Sequence, residues 1–296
     1  MLVTMQRVLQ CCVAICFAVA VCPAHAQAAS KAAPADAKAI EALTARARAG
    51  SAEAKYELGQ RHASGNSVPM DKDLALALYT EAAAKGYAKA EYELALHYRG
   101  FGGTRVDLDQ AFVYTRKAAE HGHVSAQVDL GFLYFNGSNK VPKDLAQSFR
   151  WFRKASDGGS IRAQCMLGDF YKGGLGGVKQ DHAEAVKWFK QTAITKDPCA
   201  KRSQYELYVS YEAGHGVAKN LAIATGWLMR AADGGNPRAQ ATLGRNYQKG
   251  YGVPQDAELG RAWLLKSREG VSHHEDHASG AYRDPTNPME RLLPTR

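Results

Sequence analysis

Five neighbouring residues carry the clearest capacity for chemistry in this 296-residue chain: His273, His274, Glu275, Asp276 and His277. Imidazoles beside carboxylates suit zinc, nickel or copper, but a metal site also needs outer groups that hold its ligands in place. The surrounding segment is polar, carries Pro285, Pro288 and Pro294, and shows little apolar periodicity. The expectation is adventitious metal binding at His273, His274 and His277, with no resident metal and no cofactor. Nucleophile chemistry finds less support. No serine has a lysine three residues later, the spacing that would put the two one helical turn apart. The chain also lacks a Gly-x-Ser-x-Gly elbow, a His-Glu-x-x-His pair, a phosphate loop ending in Gly-Lys-Ser/Thr and a Gly-x-Gly-x-x-Gly turn. No catalytic residue is identified, and the expectation is a protein that is not an enzyme.

The length accommodates a large core, and 46% hydrophobic with 23% charged residues excludes wholesale disorder and a polytopic membrane protein. The N-terminus reads as an export signal. Arg7 is followed by an uncharged, mostly apolar run from Val8 to Cys22, and Ala24-His25-Ala26 supplies small residues at the cleavage positions. Residues 1–26 are therefore expected to be removed. The run is shorter than the roughly 20 residues that span a bilayer, so the mature protein is not an integral membrane protein on this reading. Four of the six cysteines leave with the signal, and Cys165 and Cys199 remain as the candidates for one disulfide. The net charge of +9 becomes +8 when Arg7 is lost. In an exported chain that surplus points to an anionic envelope glycan rather than to nucleic acid, or to a diffusely solvated basic surface.

An internal repeat organises the rest. Leu58, Leu94, Leu130, Leu167, Leu207 and Leu243 recur at intervals of 36 to 40 residues. Four residues before each stands Ala54, Ala90, Ala126, Ala163, Ser203 or Ala239, and four after stands His62, Tyr98, Tyr134, Tyr171, Tyr211 or Tyr247. That spacing puts all three on one helical face. A second column, Leu78, Tyr114, Trp151, Trp188, Trp227 and Trp263, follows 20 or 21 residues after the leucines and holds all four tryptophans. Seven residues before it lie Asp71, Asp107, Asp144, Asp181, Asn220 and Asp256, placed to accept from the free N–H groups that open a second helix. Glycines close each helix. The unit is two helices, and tryptophans at fixed spacing read as core rather than as a ligand cage.

The pattern Ala-x-x-x-Leu-Gly-x-x-Tyr, Gly-x-Gly-Val, Asp-x-x-x-Ala-x-x-Trp-x-x-Lys, followed from Ala239 to Lys266 except that Gly260 takes the alanine place after Asp256, resembles the Sel-one-like repeat, a relative of the tetratricopeptide repeat. The resemblance implies an all-α fold, a right-handed αα-hairpin solenoid. Six repeats are expected, at about 51–86, 87–122, 123–159, 160–198, 199–235 and 236–270. A linker and N-terminal cap helix fill 27–50, and 271–296 reads as a polar, disordered tail. The first two copies lack the tryptophan. Copy five departs further: Tyr208 replaces glycine, Asn220 replaces aspartate, and Thr195 to Ser203 carries extra residues.

The resemblance further implies a protein or peptide partner bound on the concave face lined by first helices. The position before each leucine holds Glu57, Glu93, Asp129, Met166, Glu206 and Thr242, an acidic row on a basic protein. Glu57 with Arg61 and Glu93 with His97 could instead pair along one helix. Phe132, Leu133, Phe135 and Phe170 add apolar side chains beyond the packing columns, suiting a basic amphipathic peptide or equally contacts between repeats. The function expected is that of an exported, periplasmic or secreted scaffold regulating an envelope signalling, secretion or polysaccharide system. The alternatives are a β-lactam-binding or cell-wall hydrolase-like enzyme, and an electrostatic binder of anionic glycan.

Overall fold

The computed structural model describes residues 34–101, 105–138 and 141–272. The expected signal segment, the linker before residue 34 and the histidine cluster His273, His274 and His277 lie outside these residues. Among the described residues the backbone forms thirteen α-helices and no strand. After α1 (Pro34–Arg48) come six hairpins: α2 (Ala52–Ser64) with α3 (Lys72–Ala83), α4 (Ala88–Tyr98) with α5 (Leu108–Glu120), α6 (Val124–Asn136) with α7 (Leu145–Asp157), α8 (Ile161–Gly173) with α9 (His182–Ala193), α10 (Ala200–Ala213) with α11 (Leu221–Asp233), and α12 (Pro237–Lys249) with α13 (Ala257–Ser272). The chain forms two compact units that divide within α3, after Leu78.

In the first unit Leu43 and Ala47 of α1 pack on Ala54 and Leu58 of α2, with Leu78 half-buried against them. Ser51 opens α2 by accepting from the N–H of Ala54 at 3.2 Å.

In the second unit each first helix packs on its own second helix, and each second helix on the first helix that follows, which is the layering of an αα-hairpin solenoid. The aspartates placed from spacing do cap second helices: Asp144 accepts from Ala146 and Gln147, Asp181 from Glu184, and Asn220 from Ile223. Their backbones do a second job that side-chain spacing does not reveal. In all six hairpins the N–H of the capping residue donates to the carbonyl of the residue four after the leucine, from Asp71 to His62 at 2.9 Å through Asp144 to Tyr134 at 2.8 Å to Asp256 to Tyr247 at 2.8 Å. This bond ties the end of each first helix to the start of its second.

Volume is matched in pairs inside the hairpin. A Cβ on Gly131 would stand 2.7 Å from the ring of Phe152, and one on Gly168 would collide likewise with Phe189, so glycine here lets a phenylalanine approach the helix backbone. In copy five Tyr208 takes the glycine position and is buried, while Leu228 stands where the third and fourth hairpins have Phe152 and Phe189. The exchange of large for small keeps that layer filled. The irregular connection between α9 and α10 is stapled: Cys165 on α8 and Cys199 at the start of α10 form a disulfide, with both residues buried and their Cα atoms 6.6 Å apart. No helix among the described residues is long and apolar enough to cross a membrane.

Candidate partner-binding surface

The side chains expected to meet a partner divide sharply in the folded chain. Phe132 and Phe170 are 2% and 0% exposed and sit with Phe152, Met166 and Leu167 in one buried apolar cluster, so of the two readings open for them these two rings take the contacts between repeats rather than an open groove. The physical reason is the neighbouring hairpin. Phe132 of α6 meets Phe152 of its own hairpin edge-on at 5.0 Å and has Arg162 of α8, from the next hairpin, over its face at 4.6 Å, while Phe170 of α8 is met by Phe152 at 6.0 Å and Phe149 at 5.6 Å from the hairpin before it, so both rings are covered from two sides. Phe135 is half-buried, tilted onto Phe170 at 5.9 Å with Lys143 over its face, and Leu133 is half-buried against Leu130 and Trp151.

Two of the four acids of the row, Asp129 and Glu206, are compensated within the fold. Asp129 is buried and accepts from Arg99 Nη1 at 2.7 Å and from the Tyr92 hydroxyl at 3.1 Å. Arg99 Nη2 donates in turn to Thr115 Oγ1 at 2.8 Å. Glu206 pairs with Lys172 of the preceding repeat at 2.9 Å, and Asp169 of α8 pairs with Arg202 of α10. Glu57 and Arg61 are half-buried on α2 and do not pair with each other; Glu93 and His97 are half-buried on α4. Sequence reasoning missed Arg99, Thr115, Tyr92 and Arg202. The signal for the two arginines was available only in pairs, as opposite charges about one repeat apart.

The electrostatics follow from burial. Desolvation, reinforced by the Asp129 carboxylate, pushes the Tyr92 phenol far above its ordinary value. Burial lowers His123, with Lys89 adding to the effect, and keeps the ring neutral so that its Nδ1 can accept from the N–H of Ala126 at the start of α6. Burial also raises Asp169 despite the neighbouring Arg202.

Two open cavities lie at the starts of first helices. A cavity of about 340 Å³ is walled by Tyr92, Val128, Asp129, Ser160 and Arg162. A second of about 540 Å³ is walled by Tyr87, Lys89, His121 and His123. The two share Val124 and Ser125 and together make one trough over the beginnings of α4, α6 and α8. No group of three or more histidine, cysteine, aspartate or glutamate side chains among the described residues is placed to hold a metal.

Comparison with known proteins places this geometry. The family model of the Sel1 repeat matches residues 52–87, 88–123, 124–160, 161–193, 202–236 and 237–270. Among solved structures, c5321, a protective antigen of uropathogenic Escherichia coli strains displaying an SLR fold, is 36% identical with a TM-score of 0.64, over 78% of this chain and 48% of that one. A Sel1 repeat protein from Oxalobacter formigenes is 31% identical with a TM-score of 0.58, over 79% of this chain and 66% of that one. This chain thus spans about half the length of the first and just under two thirds of the second. A search of curated proteins finds no match. Six matched repeats covering most of the chain, with two structural relatives above 30% identity, establish that the chain belongs to the Sel1 repeat family.

Proposed function

We propose that this chain is an exported, non-enzymatic scaffold that docks a protein or peptide partner in the trough over α4, α6 and α8. Sel1 repeat proteins are generally protein-interaction scaffolds, which gives the class of function. The observation that carries the site is the continuity of the two cavities through Val124 and Ser125. Their walls combine apolar Val124, Val128 and Tyr92 with polar Asp129, Ser160, Arg162 and Lys89, the mixture that fixes both affinity and orientation of a bound segment. Export rests on the N-terminal run and its Ala24-His25-Ala26 end. A role in an envelope signalling, secretion or polysaccharide system is proposed by analogy with envelope members of the family.

Cross-linking in intact cells, followed by mass spectrometry, identifies the partner. Ser125 is exposed at the centre of the trough, so Ser125→Trp fills it without touching the core. The variant is expected to fold with unchanged helicity and to lose the cross-linked partner. A variant of wild-type stability that captures the partner at wild-type yield rejects the site. Fractionation with N-terminal sequencing tests export: a mature chain beginning at Gln27 outside the cytoplasm is expected, and an uncleaved cytoplasmic chain rejects it.

A further inference from the structure

The second helices carry a feature that neither the core nor the trough uses. Three residues after the aromatic column stand Lys117, Lys154, Arg230 and Lys266, all exposed, and each lies over the ring of its own helix: Lys117 over Tyr114 at 5.4 Å, Lys154 over Trp151 at 4.4 Å, Arg230 over Trp227 at 4.8 Å and Lys266 over Trp263 at 4.8 Å. In α9 that register holds Gln191, and Lys190 beside it lies over Tyr211 of the next repeat at 5.5 Å. None of the four makes an ion pair among the described residues. The acids of these helices are kept to their ends, at caps such as Asp107, Asp144 and Asp256 or in last turns at Asp157 and Asp233.

We infer that this row of ring-held cations, on the second helices from α5 to α13, binds a linear acidic polysaccharide. A cation recurring at one register in four of these five second helices, with Lys190 one position away in the fifth, gives repeated point charges along the array, and a linear polymer with regularly placed carboxylates is the counterpart that neutralises them. The rings hold the cations in place, so less side-chain freedom is lost on binding. The same rings argue against single-stranded nucleic acid, whose binders offer open aromatic faces to bases. Trp151 is buried, the other three rings of the row are half-buried, and each carries its own cation. Lysine predominates, a point charge suited to scattered carboxylates more than to bidentate recognition. The choice of polysaccharide over other polyanions rests on the export reading above, while the binding itself is tested in solution and stands or falls separately from the compartment.

The test uses the full chain and polygalacturonate, with its methyl-esterified form as the neutral control. Binding to the acidic polymer and not to the ester is expected. The variant K117Q/K154Q/R230Q/K266Q is expected to weaken that binding about tenfold or more, and the charge-matched variant K72Q/K179Q/K196Q/K219Q less than about threefold. Acetylation of the wild-type protein supplies a readout independent of any variant's folding: bound polymer is expected to protect Lys117, Lys154 and Lys266 and to leave Lys196 and Lys219 reactive. Equal losses in the two variants, no protection at the row, or equally tight binding of single-stranded DNA of matched charge would overturn the inference.

Discussion

Arg99 and Asp129, on consecutive repeats, form a buried ion pair at 2.7 Å, with side chains 1% and 8% exposed. Such a pair adds little net stability over an apolar substitute but is costly to halve. Asp129→Ala is expected to destabilise the chain by about 3–5 kcal/mol, because Arg99 is left charged with only Thr115 to bond. The double substitution R99M/D129L is expected to recover most of that loss. Denaturant unfolding of the three proteins checks this, and a double variant no better than Asp129→Ala would show that the pair does more than neutralise itself.

The pairing of Gly131 with Phe152 predicts a specific rescue. Gly131→Ala places a methyl 2.7 Å from the ring and is expected to cost about 1–3 kcal/mol through overpacking. Adding Phe152→Leu, the arrangement the fifth hairpin uses with Leu228, is expected to return part of it. Additive losses in thermal unfolding would show that the two sites are independent.

The Cys165–Cys199 disulfide closes a 34-residue interval across the irregular junction. Reduction is expected to lower stability by about 3 kcal/mol. Thermal melts with and without reductant check this: wild type shifts down, and C165A/C199A melts at the same temperature in both conditions.

His123 makes stability depend on pH in a known direction. Its folded value lies below the ordinary one, so between the two the unfolded chain binds more protons than the folded chain. Its contribution is complete above about pH 6.5 and is lost as pH falls towards the lowered folded value. Protonation also removes the Nδ1 acceptor that caps α6. His123→Ser, which keeps a capping oxygen, is expected to remove this portion of the acid loss. Identical pH profiles for variant and wild type would refute it.

The hairpin itself was legible in the chain because its determinants are local. The leucine, tyrosine and tryptophan columns and the capping aspartates repeat with a period that a helical wheel converts directly into faces, and Asp144, Asp181 and Asn220 cap as their spacing requires. The surface was less legible. Asp129 stood in an acidic row, yet Arg99 from the preceding repeat neutralises it; Phe132 and Phe170 stood outside the packing columns, yet the neighbouring hairpin covers them. A wheel shows which side of a helix meets its own partner. How far the next hairpin rotates over that side depends on contacts a repeat apart, and no single window displays them. The trough escaped notice for the same reason, since Tyr92, Ser125 and Arg162 come from three repeats.

The backbone bond that links Asp144 to Tyr134, and its five counterparts, closes each hairpin without reference to the next. A hairpin of this kind is a self-contained module, so repeats can be gained or dropped over evolutionary time without redesigning those that stay. Irregularity then collects at the joints between modules, and the joint before α10, with its added residues, is the one that carries a covalent rivet.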